Sequence, residues 1–110
     1  MTIKTFAEYQ QRAVATALPS ALDMNYLAPG LAAEAGEVAG KWAKVVRDDY
    51  GMLTPEKREE ILKEIGDSLW FMALLAHFLN RNLEDIAQGN IDKLADRKER
   101  GVLGGSGDNR

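Results

Sequence analysis

Apolar residues recur along most of this chain with a helical period. Phe6, Tyr9, Ala13 and Ala17 step by three, four and four positions, which puts them on one helix face. Pro19 and the stretch that follows, to Ala28, interrupt the pattern. Pro29 suits the first turn of a second helix, where its missing N–H would be unpaired in any case. That helix is predicted from about Pro29 to Asp49, with Gly51 ending it. Thr54-Pro55 supplies a capping hydroxyl and a ring that fits the first helical position, so a third helix is predicted from there to about Asn80. Asn82 can cap a fourth, whose buried stripe would be Leu83, Ile86, Ala87, Ile91 and Leu94, fading near Arg100. No alternating run marks a strand. The pattern predicts an all-α fold, a helical bundle over residues 1–100 with a glycine-rich C-terminal tail, 101–110, that is either flexible or an ordered loop.

The third helix changes character along its length. Its first half is charged, with Glu56, Lys57, Arg58, Glu59, Glu60 and Lys63. Its second half, from Leu69 through Trp70, Phe71, Met72, Leu74, Leu75, Phe78 and Leu79, is apolar on nearly all sides. A helix apolar all round is surrounded in the folded state. Four short helices in 110 residues cannot easily surround it, so a homodimer or homotetramer is expected to complete the bundle.

Composition narrows the chemistry. There is no cysteine, which excludes a disulfide scaffold, a thiol nucleophile and thiolate metal sites. The single histidine, His77, excludes any site within one chain that needs two imidazoles; its place late on the apolar third helix predicts a core histidine. Seventeen acids against fourteen bases give a net charge of −3, which favours neither a nucleic-acid polymer nor an anionic membrane as partner. No apolar run approaches the roughly 20 residues that span a bilayer, and Met1–Phe6 lacks a leader's apolar core, so a cytoplasmic location is expected. Metal or acid–base chemistry must then use carboxylates.

Two acid pairs stand out. Glu34 and Glu37 fall on the second helix, Glu64 and Asp67 on the third, each pair in the form Glu-x-Gly-acid. Residues three apart share a helix face. Four acids on two facing helices repel unless a cation sits between them, and an all-oxygen set suits Mg²⁺, with Mn²⁺ as a substitute. Isolated, such a pair is an ordinary solvated face. Here both pairs sit among apolar neighbours, Leu31 and Val38 in one case, Ile61, Ile65 and Leu69 in the other. Gly36, Gly40 and Gly66 interrupt the same helices, each costing about 0.5–1 kcal/mol. Close approach of a partner helix or a ligand would explain them.

A basic stripe follows. Asn90, Lys93, Arg97 and Arg100 lie on one side of the fourth helix. Alone it reads as a surface stripe paired with Asp92, Asp96 and Glu99; beside a metal site it is a clamp for phosphates. Lys41, four after Glu37, could reach phosphate or pair with Glu37. Trp70 shares a face with Asp67 and could stack a base or fill the core, and Gln10 could read a base edge or lie on the surface. Gly104-Gly105-Ser106-Gly107 could wrap phosphates, but lacks the lysine and following helix of a P-loop.

The order Glu34-x-x-Glu37, 26 residues, Glu64-x-x-Asp67, then Asn90-x-x-Lys93-x-x-x-Arg97, resembles the MazG-like nucleoside triphosphate pyrophosphohydrolases of the all-α NTP pyrophosphatase superfamily. Tyr9-Gln10, Thr16-Ala17, Arg100-Gly101 and Gly105-Ser106-Gly107-Asp108 resemble its small single-domain members. The resemblance implies Mg²⁺-dependent cleavage of a (deoxy)nucleoside triphosphate to monophosphate and pyrophosphate, serving nucleotide-pool housecleaning or control. It implies that Glu34, Glu37, Glu64 and Asp67 are metal ligands and catalytic, one of them also orienting water, and that Lys93, Arg97 and Asn90 hold phosphates. Lys63 departs from the pattern, since many members carry another acid there, which bears on the number of metals. The competing reading is a non-enzymatic helical interaction module whose acids and bases form ion pairs between subunits. A di-iron bundle is excluded, because it needs Glu-x-x-His twice and Leu74 stands three before His77.

Overall fold

A computed structural model describes all 110 residues. The chain is all-helical: α1 (Phe6–Ala15), a 3₁₀ turn at Pro19–Ala21, α2 (Met24–Asp48), α3 (Pro55–Phe78) and α4 (Leu83–Glu99). α2 packs along α3, α1 lies across α3, and α4 rests on α1 and α3. No helix is long and apolar enough to cross a membrane.

Caps explain the boundaries. Thr5 accepts from the Glu8 amide and Thr54 from the Lys57 amide, so α1 and α3 begin where a hydroxyl is available. α2 starts five residues before the predicted Pro29. Asp23 is the cap, accepting from the Asn25 amide at 2.9 Å, and Pro29 sits inside the helix. A proline so near the N-terminus deprives only the Asn25 carbonyl of its helical partner. Gly51, at φ 76°, turns the chain out of α2, and its amide donates to Val45 O.

The core is small. Ala13, Leu27, Phe71, Ala73, Leu74 and Leu83 form its centre. Gly30 is required there: a Cβ would lie 2.2 Å from the Phe71 ring. Around Gly36, Gly40 and Gly66 there is open space instead, so no helix of the same chain explains them. Of the predicted α4 stripe, Leu83 is buried and Ala87 half-buried, whereas Ile86, Ile91 and Leu94 are exposed. Met72, Phe78 and Leu79 of α3 are also exposed, as is His77. The physical reason is reach, because α4 covers only part of α3. The radius of gyration is 16.8 Å, against about 13 Å for a compact chain of this length.

Candidate metal centre and its surroundings

Packing of α2 along α3 brings the two acid pairs face to face. Glu34, Glu64 and Asp67 each place a carboxylate oxygen within 4.8 Å of the others. Glu34 and Glu64 are half-buried, while Asp67 and Glu37 are exposed. Glu37 lies outside this close group, although its charge still reaches Glu34. The Glu34 carboxyl is held above the usual carboxylate range. Loss of hydration is the largest cause, followed by a hydrogen bond with Glu64 and the charges of Asp67, Glu64 and Glu37.

Such crowding fits a cation. The donors are all hard oxygens, and the repulsion that raises Glu34 is what a divalent ion would relieve. Tyr9, from α1, stands close enough to Asp67 that its phenol is raised, first by burial and then by that carboxylate. The α1 pattern marks Tyr9 only as a packing residue; its proximity to the acids follows from how α1 crosses α3, which no local spacing reveals.

Trp70 has a double position. Its ring N–H donates to Thr16 Oγ1 at 2.8 Å, and its edge packs on Phe71 at 5.0 Å between centroids. The same ring lines a cleft of about 390 Å³ together with Tyr9, Arg12, Thr16 and Ile3. Tyr9 therefore adjoins both this cleft and the acid cluster.

Gln10 is neither on the surface nor free to read a base. It is buried, and its amide is spent on the backbone: Nε2 donates to Ala73 O at 3.1 Å and Arg81 O at 3.0 Å, and Oε1 accepts from the Leu83 amide at 3.0 Å. That last bond caps α4, for which the Asn82 side chain makes no bond. Lys41 points to Glu60 of α3, at 4.0 Å, rather than to Glu37, and Lys57 shares the same carboxylate at 3.3 Å.

The basic stripe on α4 meets the C-terminal tail, which is an ordered loop. Lys93 Nζ lies 2.7 Å from Asp108 Oδ1. The Arg97 guanidinium bonds both the Asp108 carbonyl and its carboxylate, and the residue is 5% exposed. These two cations hold the Asp108 carboxyl below its usual range, Lys93 having the larger effect. Arg97 is thus closed off beneath the loop, Lys93 stays partly accessible, and Asn90 is exposed.

The model of the MazG nucleotide pyrophosphohydrolase domain matches residues 23–102, which include all four acids and the basic stripe. The Gene 37 protein of Mycobacterium phage L5 is 46% identical over 87 residues, 79% of this chain and 76% of that protein. No solved structure matches. The chain therefore belongs to the MazG nucleotide pyrophosphohydrolase domain family.

Proposed function

We propose that this protein hydrolyses (deoxy)nucleoside triphosphates to the monophosphate and pyrophosphate, with Mg²⁺ or Mn²⁺ held by Glu34, Glu64 and Asp67. The carrying observation is the convergence of those three carboxylates from two helices in a chain of this family. When bound, the ion supplies charge neutralisation at the phosphates and activation of water. Water adds to the α-phosphorus, the bond to the bridging oxygen breaks, and pyrophosphate leaves. Glu37, next to the cluster but outside it, orients the attacking water and takes its proton. Lys93 and Asn90 hold phosphate oxygens. Arg97 acts through the loop it anchors. The cleft beside Asp67, walled by Trp70 and Tyr9, takes the base.

Completion by a second copy is part of this reading. The chain exposes 7973 Å², against about 6,000 Å² for a compact monomer of this mass. Trp42, Val46, Leu62, Ile65 and Met72 contribute to that excess from α2 and α3. A homodimer or homotetramer covers them, measurable by light scattering.

Purified protein given deoxynucleoside triphosphates and Mg²⁺ should release pyrophosphate. Asp67→Asn should lose both metal binding and activity, whereas Glu37→Gln should lose turnover and keep a metal-binding isotherm. Full activity in both variants overturns the proposal. An interaction module instead predicts no divalent-metal binding at all.

A further inference from the structure

The cleft beside the acid centre has few polar groups left with which to read a base. Tyr9, Arg12, Ala13 and Thr16 line it from α1, where steps of three, one and three positions return to the same helix face. Trp70 of α3 adds its ring, and Met1 and Ile3 come from the N-terminal segment. Two of these side chains are already committed to each other. The Trp70 ring N–H donates to Thr16 Oγ1 at 2.8 Å, and the one hydrogen of the Thr16 hydroxyl goes to Ala13 O at 2.6 Å. No carboxylate and no side-chain amide lines the cleft. The Tyr9 hydroxyl both donates and accepts, so it does not choose between base edges.

Arg12 is what remains. Its Nη1 donates to the Met1 carbonyl at 2.6 Å, which pins the head of an otherwise exposed side chain. It has no carboxylate partner: Glu8, one turn earlier, accepts instead from the Lys4 amide at 2.7 Å. The Nε and Nη2 hydrogens are unbonded, and on a planar guanidinium they form a fork of two parallel donors. A guanidinium has no acceptor. Its complement on a base is a pair of adjacent acceptors, which guanine carries as O6 and N7. Adenine sets an N6 amino group beside N7, cytosine carries an N4 amino group, and thymine offers O4 alone.

We infer that Arg12 is a specificity-determining residue and that this cleft selects guanine, with the Arg12 fork on O6 and N7 and the base ring against Trp70. The inference rests on the proposed reaction only in placing a nucleotide base in the cleft. The preferred substrate is then a guanine nucleoside triphosphate.

The test is equilibrium binding of the four deoxynucleoside monophosphates to the full chain, followed at the Trp70 indole ¹⁵N–¹H signal so that no turnover is needed. The guanine nucleotide should bind about tenfold or more tighter than those of adenine and cytosine, with thymine between, which is the discrimination a good bidentate base contact supplies. Arg12→Lys keeps the charge and loses the fork, so the four should draw level. Arg12→Gln offers one donor and one acceptor, the complement of adenine N7 and N6, so the adenine nucleotide should overtake the guanine one. Arg12 is exposed, so both variants should unfold at the wild-type urea midpoint. Three results overturn the inference: equal binding of all four by the wild type, a Trp70 signal unmoved by the guanine nucleotide at millimolar concentration, or a uniform loss across the four in Arg12→Lys, which marks a phosphate contact. Hydrolysis of the four triphosphates with Mg²⁺ on the same samples separates the two ideas. Guanine preference without turnover overturns the proposed reaction and leaves the selectivity standing, and turnover without preference does the reverse.

Discussion

Replacing Gln10 by leucine separates structural from ligand-reading roles for this residue. The side chain keeps nearly the same volume and loses three hydrogen bonds. Those bonds are unequal. Ala73 lies within α3, where its carbonyl also serves the helical ladder, so loss there is at the low end of the usual 0.5–1.5 kcal/mol. The bond to Arg81 O is only partly buried and also modest. The Leu83 amide is the expensive one: it is buried, it opens α4, and nothing else caps it. An unsatisfied buried donor costs about 1–3 kcal/mol. The total is about 2–4 kcal/mol, a large share of a small domain's stability.

Urea unfolding at matched protein concentration reads this directly. With a slope of about 1–3 kcal/mol/M, the midpoint should fall by roughly 1–2 M. Gln11→Ala, one position along on the exposed side of α1, should stay within about 0.5 kcal/mol of wild type. If Gln10 instead reads a base, its replacement raises KM and leaves the midpoint alone. An unchanged midpoint would refute the assignment of this side chain to the fold.

Four shorter predictions follow from the same structure. The raised Glu34 carboxyl penalises the metal-free fold once ionised, so that fold should gain stability as pH falls through the raised value toward the ordinary 4.5; thermal melts of Glu34→Gln should lack this gain and lack stabilisation by Mg²⁺. Asp108 has the opposite sign: its depressed carboxyl supports the loop above the ordinary 3.8 and releases it as pH falls through the depressed value, seen as backbone chemical shifts of residues 103–109 moving to coil values. Gly30→Ala should cost about 1–3 kcal/mol in denaturant unfolding, because the new Cβ meets the Phe71 ring, and Phe71→Leu should recover part of it. Gly66→Ala, with open space around it, should raise the melting temperature of a free chain by up to about 1 kcal/mol equivalent, and lower it if a second copy packs there.

Helix number and type were legible because capping residues and apolar spacing are local. Thr54 with Pro55 set the start of α3, and Gly51 set the end of α2. The start of α2 was less legible: Pro29 fits a first turn by its own chemistry, yet the helix begins five residues earlier, at the cap that Asp23 provides. The acids were legible as pairs, since a spacing of three is a local fact. That Glu34, Glu64 and Asp67 draw together and Glu37 stays apart depends on the rotation of α2 against α3. Gln10 could not be read at all, because its three partners lie 63 to 73 residues away. The loop's order was hidden for a similar reason: glycines announce freedom, and only the return of Arg110 onto carbonyls 102–107 takes it away.

The glycines of α2 and α3 connect the acid centre to the uncovered surface. Gly36 lies between Glu34 and Glu37, and Gly66 between Glu64 and Asp67. With Gly40, each costs about 0.5–1 kcal/mol of helix stability. A fold with only 11 buried residues has little to spare for that cost. Nothing in the same chain approaches any of the three. Gly30 shows what an internal packing glycine looks like here, with the Phe71 ring where its Cβ would be. By contrast, the open three sit among exposed Trp42, Ile65 and Leu62 and beside the carboxylates. Their cost is offset only when something outside the chain comes close to the backbone. A second copy over the apolar residues and a ligand at the acids are the two bodies that fit, and both are what the proposed function calls for.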